Sequence, residues 1–134
     1  MANLTVAPAG VHAVALYEQM PDGPAAEAIN AGQPVRLDTT SGYYTLANGT
    51  VAGEARVVGV AINTVPAGQA VSVLRKGLIE LGGALAAIAL DAPIYLSNTD
   101  GTLADSAGTV STVVGRVYPG FGSVTADKLL YVDL

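Results

Sequence analysis

Val35 and Leu37 alternate with Arg36 and Asp38, the two-residue period of a half-buried strand. A Thr39-Thr40-Ser41-Gly42 turn follows, and residues 43–46 return with β-favouring side chains. Asn48-Gly49 is a second turn signal. Residues 56–62 read as a strand centred on Gly59, where a bulge or a close backbone approach is expected. Pro66-Ala67-Gly68 leads into Val71-Ser72-Val73, and Arg75-Lys76-Gly77 predicts a further turn before a strand over residues 78–81. Residues 93–96, 112–118 and 129–134 complete the strands, with a glycine-ended hairpin turn at Ser97-Asn98-Thr99-Asp100-Gly101. Helix is confined to two short candidates, residues 25–31 and 84–90.

The first 24 residues break this rhythm. Residues 11–16 have the composition of a strand. Met20-Pro21-Asp22-Gly23-Pro24 then reads as an extended, non-helical connector, because proline fixes φ and removes a donor.

The apolar pattern is also written twice. With Gly23 set against Gly82, Ala25 falls on Ala84, Ile29 on Ile88, Pro34 on Pro93, Val35 on Ile94, Leu37 on Leu96 and Gly42 on Gly101. A slip in the turn brings Thr45-Leu46-Ala47 onto Thr102-Leu103-Ala104. A later slip brings Val57-Val58-Gly59 onto Val113-Val114-Gly115. The matched positions are turn glycines, strand prolines and core aliphatics, with no reactive side chain duplicated. Such duplicated β-units build scaffolds more often than isolated active sites.

Composition sharpens that view. The 134 residues suit one domain with its own core, and the absence of cysteine excludes disulfides and thiolate chemistry. Charged residues make up only 13%, against a usual ~25%, while apolar residues reach 51% and mean hydropathy is +0.46. A surface this poor in charge suits one covered by partners. The net charge of −5 and the scattered basic residues argue against nucleic-acid binding. The longest apolar run, residues 81–90, contains two glycines and is far short of the ~20 residues of a membrane helix. The amino terminus lacks a basic region followed by an apolar one, which predicts a soluble protein made inside a cell.

Catalytic constellations are sparse. His12 is the single histidine, in an apolar stretch with no carboxylate pattern beside it. Walker, dinucleotide-binding and nucleophile-elbow motifs are missing from the sequence. Asn98-Thr99-Asp100-Gly101-Thr102 with Asp105 has some of the oxygen ligands of a calcium loop but not its terminal bidentate glutamate. No catalytic residue, cofactor or metal is therefore expected. Pro119-Gly120-Phe121-Gly122-Ser123 places the only phenylalanine between glycines, either as a core anchor or as an exposed knob for another subunit.

One resemblance draws these strings together. Ala31-Gly32-Gln33-Pro34-Val35, Arg56-Val57-Val58-Gly59-Val60-Ala61, Pro93-Ile94-Tyr95-Leu96 with Asp100-Gly101-Thr102-Leu103, and Val114-Gly115-Arg116-Val117 resemble, in order and spacing, the capsid decoration (cement) proteins of tailed bacteriophages. The likeness runs over roughly residues 10–134. It departs at Leu90-Asp91-Ala92, where the family has Ala-Gly-Asp before its Pro-Val-Tyr strand.

The expected fold is all-β: a small barrel or sandwich, jelly-roll or β-tulip-like, built from two similar β-units with an extended N-terminal arm. Residues 1–24 form the arm or connector with a possible first strand. Residues 25–134 form one β domain with repeats at about 25–61 and 84–118. The resemblance implies a non-enzymatic virion protein, made in the host bacterial cytoplasm, that sits on the exterior of an expanded capsid and bridges neighbouring capsomers against DNA pressure. Its partners would be the major capsid protein and its own copies, as a homotrimer or alternatively a homodimer, without nucleic acid or membrane. The competing reading is a β-barrel binding module showing loops to a host surface glycan or protein. Met20, Pro21, Pro24 and Phe121 are the interface candidates.

Overall fold

The computed structural model describes residues 2–121 and 128–134. The strands are β1 (Val11–Gln19), β2 (Gly23–Pro24), β3 (Pro34–Leu37), β4 (Tyr44–Leu46), β5 (Gly59–Ala61), β6 (Ala70–Val71), β7 (Val73–Leu81), β8 (Pro93–Leu96), β9 (Leu103–Ala104), β10 (Val113–Pro119) and β11 (Lys128–Asp133). The helical content among the described residues is one 3-10 turn at Pro8–Gly10. Nine strands form one sheet along the path β4-β3-β5-β7-β11-β10-β8-β9, with β1 added beside β7, and the sheet curls into a half-barrel. The small pair β2-β6 stands apart. The all-β class expected from the alternation and turn spacing is the one observed.

The internal repeat is visible in the ladders. β3 lies between β4 and β5, and β8 lies between β9 and β10, all antiparallel. The registers coincide as well. Val35 faces Gly59 in the first half, as Ile94 faces Gly115 in the second. Irregular hydrogen bonds are copied too: Ala61 N–H donates to the Gln33 carbonyl, and Val117 N–H to that of Ala92. The hairpins keep the same length, with Leu37 opposite Tyr44 and Leu96 opposite Leu103. The slip expected within that turn therefore falls later, between β4 and Gly59, where the first half carries the longer loop.

β7 joins the halves. Its Val73 and Leu74 ladder with β5, and Lys76 to Ile79 ladder with β11. β1 pairs with Leu74 and onward to Leu81. At Leu74 the partners are Gln19 and Val60, and at Ile79 they are Ala13 and Leu130. A strand has only two edges, so β1 takes one and β5 and β11 divide the other.

The turn expected at Arg75-Lys76-Gly77 is absent, because β7 runs through it unbroken. Gly77 is there for a different reason. A Cβ on it would lie 2.2 Å from the Ala15 carbonyl oxygen, so the glycine admits close approach of β1. The expected strand at residues 56–62 is shorter, β5 being Gly59–Ala61.

The two helical candidates differ from one another and from helix. Residues 25–31 carry isolated bridges, Ala25 to Tyr44 and Ile29 to Val65. The second stretch is a chain of three-residue turns, Ala84 N–H to Leu81, Ala86 N–H to Gly83 and Ile88 N–H to Leu85. So short a segment after two glycines lacks the length to propagate a helix. Lys128 Nζ instead donates to the carbonyls of Ala86 and Ile88, at 3.1 and 2.5 Å.

Two apolar clusters fill the interior. The larger gathers Leu74, Ile79, Leu81, Leu85, Ile94, Leu96, Leu130 and Val132, and the smaller Ile29, Val35, Tyr44, Val71 and Val73. Fully burying side chains of this size stabilises by about 1.5–3 kcal/mol each, before ordering costs.

Candidate interaction surface

β1 is the least covered strand of the sheet. Of its nine residues only Val11 is buried and Ala15 intermediate; the others are exposed. Val14, Leu16 and Tyr17 stand 40%, 48% and 66% open to solvent. The register shifts between Ala13 and Ala15 and between Leu16 and Glu18, so strict alternation of faces is lost and apolar side chains emerge on both sides. Among the described residues β7 is its one ladder partner.

Across β7 from β1, the outward positions of β11 and β10 carry Tyr131 and Tyr118 alongside the charged Asp133 and Arg116. Tyr17 meets Tyr131 edge to face at 6.5 Å, Tyr131 meets Tyr118 at 5.5 Å, and Tyr118 meets Phe121 at 6.3 Å. The planes cross at 76°, 81° and 78°, the geometry that aromatic quadrupoles favour, at about 0.5–1.5 kcal/mol per pair. The sheet itself aligns them. Tyr118 and Tyr131 alternate with the inward Val117, Leu130 and Val132 on adjacent strands.

Polar pairs stand on the same strands. Arg75 lies 3.3 Å from Glu18, and Lys76 lies 3.5 Å from Asp133. These are solvent-exposed pairs worth about 0–1 kcal/mol each, so they shape the rim more than they hold the fold. An apolar, aromatic centre with charged neighbours is the anatomy of a protein interface.

The four sequence candidates separate into two places. Phe121 is 79% exposed with φ of 55°, at the free end of the ring row. It is an exposed knob and not a core anchor; Gly122 and Ser123 of its loop lie outside the described residues. Within the stretch expected as an arm, residues 1–24, β1 lies along β7 and β2 pairs with β6. Met20 N–H donates to the Val73 carbonyl, and its side chain packs against the smaller core cluster. Pro21 is exposed, and its carbonyl accepts the Tyr44 hydroxyl at 2.6 Å. Pro24 is half-buried in β2, opposite Ala70. Burial pushes the Tyr44 phenol above its ordinary pKa, and the Asp22 carboxylate adds to the rise. The connector is thus fixed to the body by a neutral phenol.

Tyr17, Tyr118 and Tyr131 were not singled out in the sequence. The available signal was an aromatic at the outward position of a strand, as in Leu130-Tyr131-Val132, but which rings meet depends on the pairing of strands far apart in the chain.

Elsewhere the polar groups hold turns. Asn48 Nδ2 donates to both Glu54 and Asp100, at 3.0 and 2.6 Å, tying the two halves together. Asp105 accepts the Ala2 N–H, and Thr102 donates to the Asp100 carbonyl. The Asp38 carboxylate is held below its ordinary pKa, chiefly by the Thr40 N–H at 2.8 Å. A cleft of about 150 Å³ between Val6, Gly32 and Leu103 has only Asn30, Gln33 and Thr102 as polar side chains.

Comparison with known proteins gives one family. The model described as phage cement protein matches residues 24–128. No curated protein and no solved structure matches.

Proposed function

The chain belongs to the phage cement protein family, and we propose that it binds the outer surface of an expanded phage capsid and bridges neighbouring capsomers. It would stabilise the head against internal DNA pressure as a non-enzymatic component of the virion exterior, made in the host bacterial cytoplasm. Its partners are the major capsid protein and further copies of itself, a trimer suiting local three-fold positions and a dimer the two-folds.

The observation that carries this reading is the ring row of Tyr17, Tyr131, Tyr118 and Phe121 near the open strand β1, with Tyr131 half-buried and the other three rings exposed. Apolar surface removed from water contributes about 25 cal/mol per Å² before association costs. One such contact is weak. Many on a rigid lattice act together, so the shell gains far more than a single clamp supplies. A chain with only 13% charged residues also keeps these contacts tolerant of salt.

The test is direct. Purified protein is mixed with expanded shells that lack it, and the shells are pelleted. Saturable co-sedimentation is expected, and its absence at saturating concentration would sink the proposal.

A further inference from the structure

We infer that two copies of this chain associate through β1, edge to edge and antiparallel, about a two-fold axis at Ala15. Exposed edges in natural monomers are guarded by charges, lysine, proline, bulges or a covering segment, and of these β1 has bulges and a single carboxylate. β1 has no lysine, arginine or proline, and its free edge carries no described strand. Its exposed side chains are mainly apolar, and its one carboxylate, Glu18, sits with Arg75.

The sequence of β1 matches itself in reverse. With Ala15 on the axis, Val14 faces Leu16 of the second copy, Ala13 faces Tyr17, and His12 faces Glu18. Each of these pairs occurs twice, because a two-fold contact is isologous. Imidazole meets carboxylate, and aliphatic meets aliphatic, with no like charges opposed. Moving the register by one residue in either direction ends the His12–Glu18 match. Bulges at Val14 and Tyr17 keep the regular stretches short. The contact is therefore a brief ladder reinforced by side chains. It also extends the ring row, since Tyr17 of each copy stands at the join. The mode is strand addition, with main-chain bonds giving affinity and side chains setting register.

Cross-linking in solution reads this without any capsid, so its outcome is separate from that of shell binding. The chain has no cysteine, which makes single-cysteine variants clean. Facing residues of an antiparallel pair have Cα atoms about 4.5–5.5 Å apart, within the ~4.4–6.8 Å that a disulfide spans. Under mild oxidation Ala15→Cys should form a disulfide dimer at least about tenfold faster than Val51→Cys, an exposed control on the turn after β4, because proximity raises effective concentration. Mixed Val14→Cys and Leu16→Cys chains should cross-link with each other faster than either does with itself. In sedimentation the wild type should form dimers with rising concentration, and Leu16→Lys should remain monomeric with an unchanged β-type circular dichroism spectrum. Ala15→Cys reacting no faster than Val51→Cys, a wild type that stays monomeric, or a Leu16→Lys dimer as strong as wild type would each overturn the inference.

Discussion

Asp91 stands in the second half where Gly32 stands in the first, and both turn the chain through positive φ, 65° and 92°. Each N–H donates to the equivalent strand of its own half, Gly32 to Ala61 and Asp91 to Val117. The repeat has thus kept a left-handed turn while losing its glycine on one side, at the point where the chain departs from the family pattern. Aspartate is among the few residues that tolerate this conformation. Asp91→Gly should leave stability within about 0.5 kcal/mol, since relief of strain offsets the extra freedom of the unfolded chain and a weak exposed pair with Arg116. The reverse change is not equivalent. A Cβ at Gly32 meets Val6 and Val11 at 2.9 and 3.0 Å, so Gly32→Asp should cost about 2 kcal/mol or more. Urea denaturation of both variants checks the asymmetry; equal effects would contradict it.

Gly115→Ala should lower stability by about 3 kcal/mol or prevent folding, because the new Cβ would lie 2.1 Å from the Tyr131 carbonyl oxygen. Gly59→Ala should behave alike, with Leu74 O at 2.5 Å and Val73 Cγ1 at 2.4 Å. Gly53→Ala, with open space around it, should be neutral or slightly stabilising. Thermal melts of the three separate close approach from turn flexibility.

Phe121→Ser should change folding stability by no more than about 0.5 kcal/mol, given its exposure. The same substitution should weaken shell binding about tenfold or more if the ring is an interface anchor. Melting temperature and co-sedimentation measured on one preparation tell the two effects apart.

The raised pKa of Tyr44 gives an alkaline prediction. Its folded value lies above the unfolded one, so the stability it contributes is fully present below the unfolded pKa of about 10 and is lost as pH rises through the folded value. Ultraviolet titration should show Tyr44 ionising above the ordinary tyrosine value. Tyr44→Phe should abolish that late step and cost about 1 kcal/mol, the worth of its bond to the Pro21 carbonyl.

Much of the fold was legible because turns and crossings need particular residues. Gly42 and Gly101 mark hairpins with positive φ, and Pro34 and Pro93 open equivalent strands. Gly59 was expected at a close approach and is found there. Gly77 misled, because a glycine that admits a neighbouring backbone reads the same as one that turns the chain. The interaction surface was less legible still. Phe121 could be picked out between its glycines, but Tyr17, Tyr118 and Tyr131 come together only through pairings of β1, β7, β11 and β10. Local alternation says which side of a strand a ring faces, not which ring lies across the ladder from it.

The shared strand β7 gives the molecule a direction of strength. Its ladder with β11 joins the two halves through four register pairs, from Ile79–Leu130 to Lys76–Asp133. A load drawn along those strands is carried by all the bonds together, in shear. A load drawn across them opens the bonds one after another, like a peel. A clip mounted with β7 along the line of tension would therefore hold firmly when its neighbours are stretched apart, yet yield to a force that lifts one half away from the other.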